Sequence, residues 1–309
     1  MKIAILLSTY NGAQYLRSQI DSIIAQNNHD WTLYIRDDGS KDGTTSIITE
    51  YQAKYPSQIQ WFNQNHIVNC GVIGSFFELL LGIDADYYMF CDQDDVWLPE
   101  KVALTITKMQ QVEAGQLTRP ALVHTDLRVV DQNLDVQSES MMATQSLDPQ
   151  PSFNRLLVQN SITGCTMMVN HALKQRVVQS DDRLTIMHDW WLALIASSFG
   201  VLGYVAQPTM LYRQHGNNAV GAKSMWKEAF TREHLFAKSK ESVALSIEQA
   251  TQFAKRFPDL PESLQAPLHF YTHVRDYPRA QRRRLLNQYG LAKSGGLRDV
   301  FFRFLIWNW

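Results

Sequence analysis

Residues 86–101 read DYYMFCDQDDVWLPEK, and this stretch decides which fold the chain can adopt. An apolar run, YYMF, ends in three carboxylates within four positions, Asp92, Asp94 and Asp95. A short apolar run bounded by turn residues is typical of a strand buried in a parallel sheet, and ligands bind beyond the carboxyl ends of such strands. The stretch therefore predicts a buried strand that carries acidic side chains to a binding edge.

Strands and helices alternate in the residues before this stretch. Strands are predicted at 2–8, 31–37, 59–62 and 87–92, and helices at 13–26, around Tyr51 and at 74–81. Strands separated by helices imply right-handed crossovers and a mainly parallel sheet covered on both faces. Further along, the sequence indicates strands in ALVHTDLRVVD (121–131) and TGCTMMVN (163–170), a buried helix in MHDWWLALIASS (187–198), and helices after Gly221. The predicted fold class is α/β, a mainly parallel mixed sheet flanked by helices, with a C-terminal helical extension.

The composition is that of an ordinary folded protein, since 45% of the 309 residues are hydrophobic and 19% are charged. A formal net charge of −1 gives no reason to expect a nucleic-acid partner. The longest apolar tract, residues 192–206, is shorter than the roughly 20 residues of a membrane span. Cys70, Cys91 and Cys165 have no paired spacing, so we interpret them as reduced core residues of a cytoplasmic protein.

The C-terminal tail differs in charge from the rest of the chain. From Val274 to Trp309 it has eight Arg or Lys and two Asp, a net charge of +6, so the first 273 residues carry −7. Aromatic side chains between Phe301 and Trp309 lie among these basic residues. Such a tail suits the surface of an anionic bilayer, which we favour, but its aromatics also suit packing against the main domain or against a second subunit in a homodimer.

Polar clusters follow three of the predicted strands, at Ser8–Asn11, Asp37–Ser40 and Asp92–Asp95. Because the carboxyl ends of parallel strands meet at one edge of the sheet, these clusters predict a shared site. Carboxylates two positions apart, as in Asp92-x-Asp94, can hold Mg²⁺ or Mn²⁺ and, through it, a diphosphate. The alternative is a solvated loop in which Asp95 caps a helix that has Pro99 in its first turn.

Two side chains at this edge suit a nucleotide base. A carboxylate at Asp37 can accept the N3–H of uracil or thymine, and Tyr10 can stack on the ring. The alternatives are an Asx turn over Asp38-Gly39-Ser40 and a tyrosine that belongs to the core. We favour the base contact for Asp37, and for Tyr10 both interpretations stay open.

Four motifs together resemble a known family. The segments STYNGAQYLRSQIDSIIAQ (8–26), LYIRDDGSKDGT (33–44), NCGVIGSF (69–76) and FCDQDDVW (90–97) are similar, in order and spacing, to family 2 nucleotide-sugar glycosyltransferases with the GT-A fold. The motifs HTDLRVVD, TGCTMMVN, MHDWW and YRQHGNN extend the resemblance to about residue 220, and the whole pattern is most similar to bacterial rhamnosyltransferases of surface polysaccharide synthesis. The resemblance implies a GT-A domain over 1–220, with nucleotide-sugar binding in 1–110 and the acceptor side and catalytic base in 111–220. A helical extension at 221–309 would follow.

The resemblance also implies roles for individual residues. The nucleotide-sugar would be bound by Thr9, Tyr10, Asp37, Asn69, Asp92, Gln93 and Arg213. The metal, Mn²⁺ or Mg²⁺, would be held by Asp94, Asp92 and His215. Asp189 matches the general base of inverting enzymes, although His188 precedes it where the family often shows Glu-Asp. The acceptor side would contain Asp95, Asp126, Gly164, Thr166 and Trp190.

These residue types suit sugar transfer on chemical grounds as well. Displacing a nucleoside diphosphate from an anomeric carbon needs a base for the acceptor hydroxyl and positive charge for the leaving diphosphate. Asp189 would supply the base, and a cation with His215 or Arg213 the charge, and a single base without a carboxylate nucleophile gives inversion. The alternatives are that Asp189 is a first-turn acid of a buried helix, that His215 is a loop histidine, and that Asp126 satisfies a neighbouring backbone.

We therefore expect an inverting, metal-dependent glycosyltransferase that moves a hexose onto a growing cell-surface polysaccharide or a lipid-linked oligosaccharide. L-rhamnose from dTDP-rhamnose is the expected donor sugar, and the expected location is cytoplasmic and peripheral at the inner face of the cell membrane. Three alternatives are a UDP-sugar transferase of the same fold, a phosphohydrolase with Asp92 as nucleophile, and an inactive nucleotide-sugar-binding module.

Overall fold

The computed structural model describes residues 1–178, 186–215 and 232–309, and within them one sheet of nine strands separates two hydrophobic cores. The strands are β1 Ile3–Thr9, β2 Trp31–Asp37, β3 Ile59–Trp61, β4 Tyr87–Cys91, β5 Val96–Trp97, β6 Ala121–Val130, β7 Val136–Ser138, β8 Met167–Asn170 and β9 Val201–Arg213. They are ordered β3-β2-β1-β4-β8-β6-β9-β5, and β7 pairs with β6. The first four in this order run parallel to one another, whereas β8 is antiparallel to both of its neighbours. The predicted α/β class with a mixed sheet is confirmed.

The helices cover both faces of the sheet. In the described residues they are α1 Leu16–Ile24, α2 Thr44–Lys54, α3 Gly71–Gly82, α4 Lys101–Glu113, α5 Met141–Thr144, α6 Phe153–Val158, α7 His171–Val178, α8 His188–Phe199, α9 Arg232–Arg256, α10 Glu262–Thr272, α11 Arg279–Gln288 and α12 Gly296–Trp307. Short 3-10 turns lie at Gly164–Thr166 and Val274–Asp276.

The strand β4, which ends at the acidic cluster, contributes side chains to both cores. Along β4, Tyr87, Met89 and Cys91 point into the core under α1, α2 and α4, while Tyr88 and Phe90 point into the core under α3 and α8. Successive strand residues face opposite sides of a sheet, so a strand covered on both faces is apolar throughout. This is why the segment YYMF carries no polar residue before the acids.

The C-terminal helices α9 to α12 share the second of these cores. Phe253, Phe270 and Phe302 are buried in the same cluster as Trp191 of α8, and the rings of Trp191 and Phe253 lie 5.3 Å apart. The predicted boundary between residues 220 and 221 lies outside the described residues, so the division into domains stays a prediction.

Several local predictions were wrong. The helix after the acidic cluster begins at Lys101 with Glu100 at its N-cap, so Asp95 does not cap it. In TGCTMMVN only Met167–Asn170 is a strand, because the residues before it form a 3-10 turn. Cys70 is exposed, whereas Cys91 and Cys165 are buried as expected, and all three are free thiols.

No helix in the described ranges is long and apolar enough to cross a membrane.

Candidate active site

The pairing of β1, β2 and β4 brings the three polar clusters to one edge of the sheet. Thr9, at the end of β1, is in register with Asp37 at the end of β2. Leu7 of β1 is in register with Cys91, the residue before Asp92. The shared edge predicted from the strand ends is therefore present.

Asp37 is the anchor of the turn that follows β2. Its side chain is fully buried and accepts hydrogen bonds from Thr9 Oγ1 (3.0 Å), Ser40 Oγ (2.5 Å) and the backbone N–H groups of Ser40 (2.8 Å) and Gly39 (3.1 Å). Four donors satisfy both carboxylate oxygens, as in the Asx turn that was the alternative interpretation. The contact between Asp37 and a nucleotide base stays a prediction.

Tyr10 and Gln93 join the loops after β1 and β4. The N–H of Tyr10 donates to Gln93 Oε1 (2.8 Å), and Gln93 Nε2 donates to the carbonyl of Tyr10 (3.0 Å). A Cβ atom at Gly12 would lie 2.1 Å from Gln93 Oε1, so the closure depends on glycine there. Tyr10 itself is 50% exposed, which excludes the interpretation as a core tyrosine and leaves its ring open at the edge of the sheet.

A buried ion pair behind this edge was not predicted. Arg36 Nη1 lies 2.7 Å from Asp38 Oδ1, and both side chains are buried. The carboxylate of Asp38 also accepts the backbone N–H groups of Cys70 (2.7 Å) and Gly71 (2.9 Å) at the start of α3. Asn69 donates from Nδ2 to the carbonyl of Asp38 (2.8 Å), so this predicted ribose or base contact lies beside the end of β2.

The acids after β4 repel one another in a partly buried loop. Burial, together with the negative charges of Asp94 and Asp189, raises the pKa of Asp92 to about 7. Burial and the charges of Asp94 and Asp92 raise the pKa of Asp95 well above its ordinary value. Asp95 is fully buried, its Oδ1 accepts the N–H of Arg213 (3.1 Å), and its Oδ2 has no hydrogen-bond partner in the described part of the chain. Asp95 is thus closed off from solvent, and its place on the acceptor side stays a prediction.

The end of β9 closes over this acidic loop. Arg213 Nε donates to the carbonyl of Asp94 (2.8 Å), and Nε2 of His215 lies 2.7 Å from Oδ2 of Asp94. Tyr15 supports both side chains, because the Arg213 guanidinium lies 4.6 Å from the centre of its ring and the His215 ring lies 4.8 Å from it. The structure thus brings together Asp94, Arg213 and His215, whose association was predicted, and adds Tyr15, which was not.

The donor atoms here fit a divalent cation. Carboxylate oxygens are suitable ligands for Mg²⁺ or Mn²⁺, and a cation would offset the negative charges that, together with burial, raise the pKa of Asp92. One donor atom each of Asp92, Asp95 and Cys165 also lie within 4.8 Å of one another. Thiol sulfur is a soft donor that suits Mg²⁺ and Mn²⁺ poorly, so Cys165 is an unsuitable third ligand. A cation held by Asp92, Asp94 and His215 stays a prediction, supported by the contact between His215 and Asp94.

Asp189 lies in the first turn of α8 and is held by three donors. Its Oδ1 accepts Asn160 Nδ2 (3.1 Å) and the N–H of Trp190 (2.6 Å), and its Oδ2 accepts the N–H of Gly164 (3.0 Å). Burial raises the pKa of Asp189 to about 7, although the bonds from Trp190 and Gly164 act in the opposite direction. A fixed carboxylate with a pKa near neutrality suits a general base. Gly164, which donates to Asp189, precedes Cys165, whose Sγ lies within 4.8 Å of a carboxylate oxygen of Asp92, so the turn at Gly164–Thr166 connects the two acids.

His188, the residue before the proposed base, is buried and uncharged. Its ring lies 4.3 Å from that of Phe76 and 5.2 Å from that of Phe90, and burial lowers the pKa of His188 to about 3. Neither ring nitrogen has a hydrogen-bond partner among the described residues. A Cβ atom at Gly164 would lie 2.8 Å from His188 Nε2, so glycine is needed beside this ring.

The predicted acceptor-side residues fall into two groups. Gly164 and Trp190 contact the Asp189 carboxylate, and Trp190 Nε1 also donates to the carbonyl of Leu156 (2.6 Å). The carboxylate of Asp126 accepts Ser140 Oγ (2.5 Å) and two backbone N–H groups, as in the alternative interpretation. Thr166 is buried and donates from Oγ1 to the carbonyl of Thr163 (2.6 Å), so its hydroxyl is already paired. Both side chains are thus hydrogen-bonded to other groups of the chain, and their place on the acceptor side stays a prediction.

Comparison with known proteins places this site in a family context. Residues 4–155 match the model of Glycosyl transferase family 2. The dTDP-rhamnosyl transferase RfbG of Shigella flexneri is 29% identical over 239 residues, which cover 73% of this chain and 77% of that protein. An uncharacterised glycosyltransferase of Nostoc sp. is 26% identical over 293 residues, which cover 91% of this chain and 84% of that protein.

The fold is also that of a solved glycosyltransferase-like structure. The crystal structure of S. aureus TarS 1–349 matches with a TM-score of 0.57 at 13% identity, and the match covers 99% of this chain and 90% of that chain. TarS 1–349 has also been solved in complex with UDP-GlcNAc. The mannosyltransferase PcManGT from Pyrobaculum calidifontis, solved with GDP-Man and Mn²⁺, has a TM-score of 0.53 at 14% identity, covering 98% of this chain and 78% of its own. At this identity both show the fold, which is GT-A-like.

Proposed function

We propose that the protein transfers a hexose from a nucleotide-sugar to a glycan, with inversion at the anomeric carbon, since residues 4–155 match the model of Glycosyl transferase family 2. The observation that carries this proposal is Asp189, a carboxylate fixed by three donors, one of which is the N–H of Gly164, next to the Cys165 whose Sγ lies within 4.8 Å of an Asp92 oxygen. Asp189 can then take a proton from the acceptor, while the side of the site at Asp92 and Asp94 holds the leaving diphosphate. Asp189, Arg213 and His215 lie beyond residues 4–155, so their roles depend on this geometry.

The proposed donor is dTDP-rhamnose. The relative RfbG, which is named a dTDP-rhamnosyl transferase, is the support for this choice. The base would stack on the exposed ring of Tyr10, with the Asp37 turn and Asn69 beside it. Thr9 and Gln93 would stabilise this edge through their hydrogen bonds to Asp37 and Tyr10. Thymine and uracil both present an N3–H donor, so the same edge suits a UDP-sugar.

The transfer step follows from these positions. A hydroxyl of the acceptor gives its proton to a carboxylate oxygen of Asp189, and the hydroxyl oxygen forms a bond to the anomeric carbon. The bond between that carbon and the diphosphate oxygen breaks, and its electron pair leaves with the nucleoside diphosphate. Attack from the side opposite the leaving group inverts the anomeric configuration. The oxygen atoms of Asp189 are kept in position by Asn160 and by the backbone of Gly164 and Trp190.

We propose that Asp92, Asp94 and His215 hold Mn²⁺ or Mg²⁺. When bound, this cation supplies positive charge to the diphosphate as it leaves. Arg213 holds the backbone of Asp94 and lies against Tyr15, so its guanidinium adds positive charge at the same end of the sheet.

The proposed acceptor is a growing cell-surface polysaccharide or a lipid-linked oligosaccharide. A lipid-linked acceptor would bring the protein to the inner face of the cell membrane as a peripheral enzyme. Two other functions are compatible with the fold: a UDP-sugar transferase, favoured by the likeness to TarS, whose structure was solved with UDP-GlcNAc, and an inactive nucleotide-sugar-binding module. A phosphohydrolase with Asp92 as nucleophile is disfavoured, because residues 4–155 match the model of a transferase family.

A donor screen tests the proposal. The protein is incubated with Mn²⁺ and a panel of dTDP- and UDP-sugars, and release of the nucleoside diphosphate is measured, with Asp189→Asn as the matched control. Release from dTDP-rhamnose above all other donors, lost in the control, supports the rhamnosyl proposal, and preference for a UDP-sugar supports the alternative. Calorimetry that finds no preference for dTDP or UDP over ADP would overturn the transferase proposal itself.

A further inference from the structure

One helix of the C-terminal extension has apolar side chains on two faces. The inner face of α12 contributes Phe302, Leu305 and Ile306 to the core. Its outer face carries four exposed residues spaced three or four apart, which we call the α12 stripe: Leu297 (89% exposed), Val300 (66%), Phe304 (48%) and Trp307 (49%). Residues at this spacing share one face of a helix. The extension therefore packs as expected of a folded domain and still presents an apolar surface.

Arginines lie beside the α12 stripe. A cavity of about 400 Å³ between α11 and α12 is lined by Val300, Phe304 and Trp307 together with three arginines, Arg282, Arg283 and Arg303. Arg282 is buried and donates to the last carbonyls of α12, and Arg303 is paired with Asp299. Arg283 and its neighbour Arg284 are exposed, and neither has an ion pair among the described residues. The apolar face thus has unneutralised positive charge at its border.

This combination favours an anionic lipid surface over a second copy of the chain. An exposed Trp and Phe beside arginines suit the boundary between lipid headgroups and acyl chains. Two copies joined through the α12 stripe would bring their arginines together, and like charges at an interface oppose association. From Val274 onward the chain has a net charge of +6, so the repulsion would extend over the whole extension.

The extension is also tied to the segment that supports the proposed base. Ser294, just before α12, donates its N–H to Gln159 Oε1 (2.6 Å), and its Oγ accepts the N–H of Asp148 (3.2 Å). The next residue after Gln159 is Asn160, whose side chain holds Asp189. The extension is therefore connected to the proposed base through two hydrogen bonds, one from Ser294 to Gln159 and one from Asn160 to Asp189.

We propose that the face formed by α11 and α12 binds an anionic phospholipid bilayer. The α12 stripe enters the boundary between headgroups and chains, and Arg283 and Arg284 bind lipid phosphates. The purpose of this surface, which is to hold the enzyme close to a lipid-linked acceptor, rests on the proposed function. Binding itself needs neither donor nor acceptor.

Sedimentation with vesicles tests this proposal on the full chain. Wild-type protein should pellet with vesicles of phosphatidylcholine and phosphatidylglycerol, less with phosphatidylcholine alone, and less as salt increases. The double variant Phe304→Ser, Trp307→Ser should bind at least about tenfold more weakly, because it removes the aromatic part of the stripe. The double variant Arg283→Gln, Arg284→Gln should lose about tenfold or more and most of the salt dependence.

Matched controls use exposed residues elsewhere. Leu81→Ser with Leu117→Ser removes two exposed leucines, 45% and 64% accessible, and Lys2→Gln with Lys54→Gln removes two exposed charges. These variants should bind vesicles like the wild type, and circular dichroism confirms that every variant is folded. Wild-type protein that stays in the supernatant, or stripe variants that bind normally, would overturn the proposal. A wild-type dimer in light scattering that the stripe variant abolishes would overturn it in favour of a second copy. None of these results depends on transferase activity.

Discussion

Nε2 of His215 lies 2.7 Å from Oδ2 of Asp94, a residue 121 positions earlier in the chain. This contact joins the end of β9 to the acidic loop after β4, and it places a neutral or cationic imidazole against the second acid of the D-x-D pair. The two residues are the clearest point at which the site can be tested for a metal.

Removal of metal with EDTA should abolish transfer, and Mn²⁺ should restore it. Asp94→Asn and His215→Gln should each weaken Mn²⁺-dependent donor binding by at least about tenfold, since each removes a proposed ligand. Because the two side chains are in contact, the double variant should lose less than the sum of the single losses. Calorimetry of the four proteins measures this coupling. Asp84→Asn, an exposed acid in the loop before β4, is the control, and strictly additive losses would contradict a shared metal site.

Asp189→Asn should lower kcat by about 10²–10⁴-fold, because the amide cannot take the proton of the acceptor hydroxyl. Donor affinity should change little, since the proposed partner of Asp189 is the acceptor hydroxyl and not the donor. Kinetics with saturating donor and calorimetry of donor binding separate the two quantities. Full transfer activity in this variant would remove Asp189 from its role as base and leave the fold assignment intact.

The same variant predicts a pH effect on stability. Burial in the folded protein raises the pKa of Asp189 from 3.8 to about 7. A raised pKa means that the bound proton stabilises the folded state below about pH 4, and that this contribution is lost as the pH rises through about 7. The free energy of unfolding of the wild type should therefore fall relative to Asp189→Asn by up to about 4 kcal/mol between about pH 4 and pH 8. Urea unfolding at several pH values measures the difference, and a difference independent of pH would show that the carboxylate is not perturbed.

Tyr10→Ala should weaken dTDP binding by about 5- to 100-fold, the range of a lost stacking contact with one base. Tyr10→Phe keeps the ring and should bind like the wild type. Neither change should alter the free energy of unfolding much, because the ring is half exposed and Gln93 is bonded to the backbone of Tyr10. Equal affinity in all three proteins would exclude stacking on Tyr10.

Asp37→Asn separates a structural role from recognition of the base. An amide cannot accept all four hydrogen bonds that the carboxylate accepts, so the free energy of unfolding should fall by about 2 kcal/mol. If Asp37 also accepts the N3–H of thymine, the variant should lose part of its preference for dTDP over CDP, because N3 of cytosine is an acceptor. Ser40→Ala, which removes one of the four donors, is the control for the turn alone. Equal losses for dTDP and CDP would leave Asp37 a purely structural residue.

The shared edge of the sheet could be predicted from the sequence because it depends on local patterns. A fully apolar strand such as β4 has only one environment that suits it, and the polar residues after it must lie at the end of the sheet. Asp92, Asp94 and Asp37 were placed correctly for this reason.

The contacts that complete the site could not be predicted, because they join loops far apart in the chain. Gln93 meets Tyr10 across 83 positions, and Asn160 meets Asp189 across 29. No local pattern distinguishes these amides from surface ones. The partners of Asp126 were likewise not predictable, since Ser140 and Met142 lie 14 and 16 positions away, whereas Thr166 donates to a carbonyl only three positions away, as short polar side chains often do.

The tail shows a third kind of limit. Its aromatic residues predicted either burial or contact with a membrane, and the helix does both by turning Phe302 inward and Phe304 outward. Phe302 and Phe304 are two positions apart, and yet one is buried and the other is exposed. Composition cannot predict this difference, whereas the helical period can.

The packing of Trp191 against Phe253 has a consequence for how this protein can vary. Trp191 stands two residues after the proposed base, and its outer face is covered by α9. A chain that lost the extension would expose the back of α8 to water and loosen the helix that begins with Asp189. The last helices are therefore part of the folded unit that holds the proposed base in place, and deleting them should unfold the start of α8 as well as the extension.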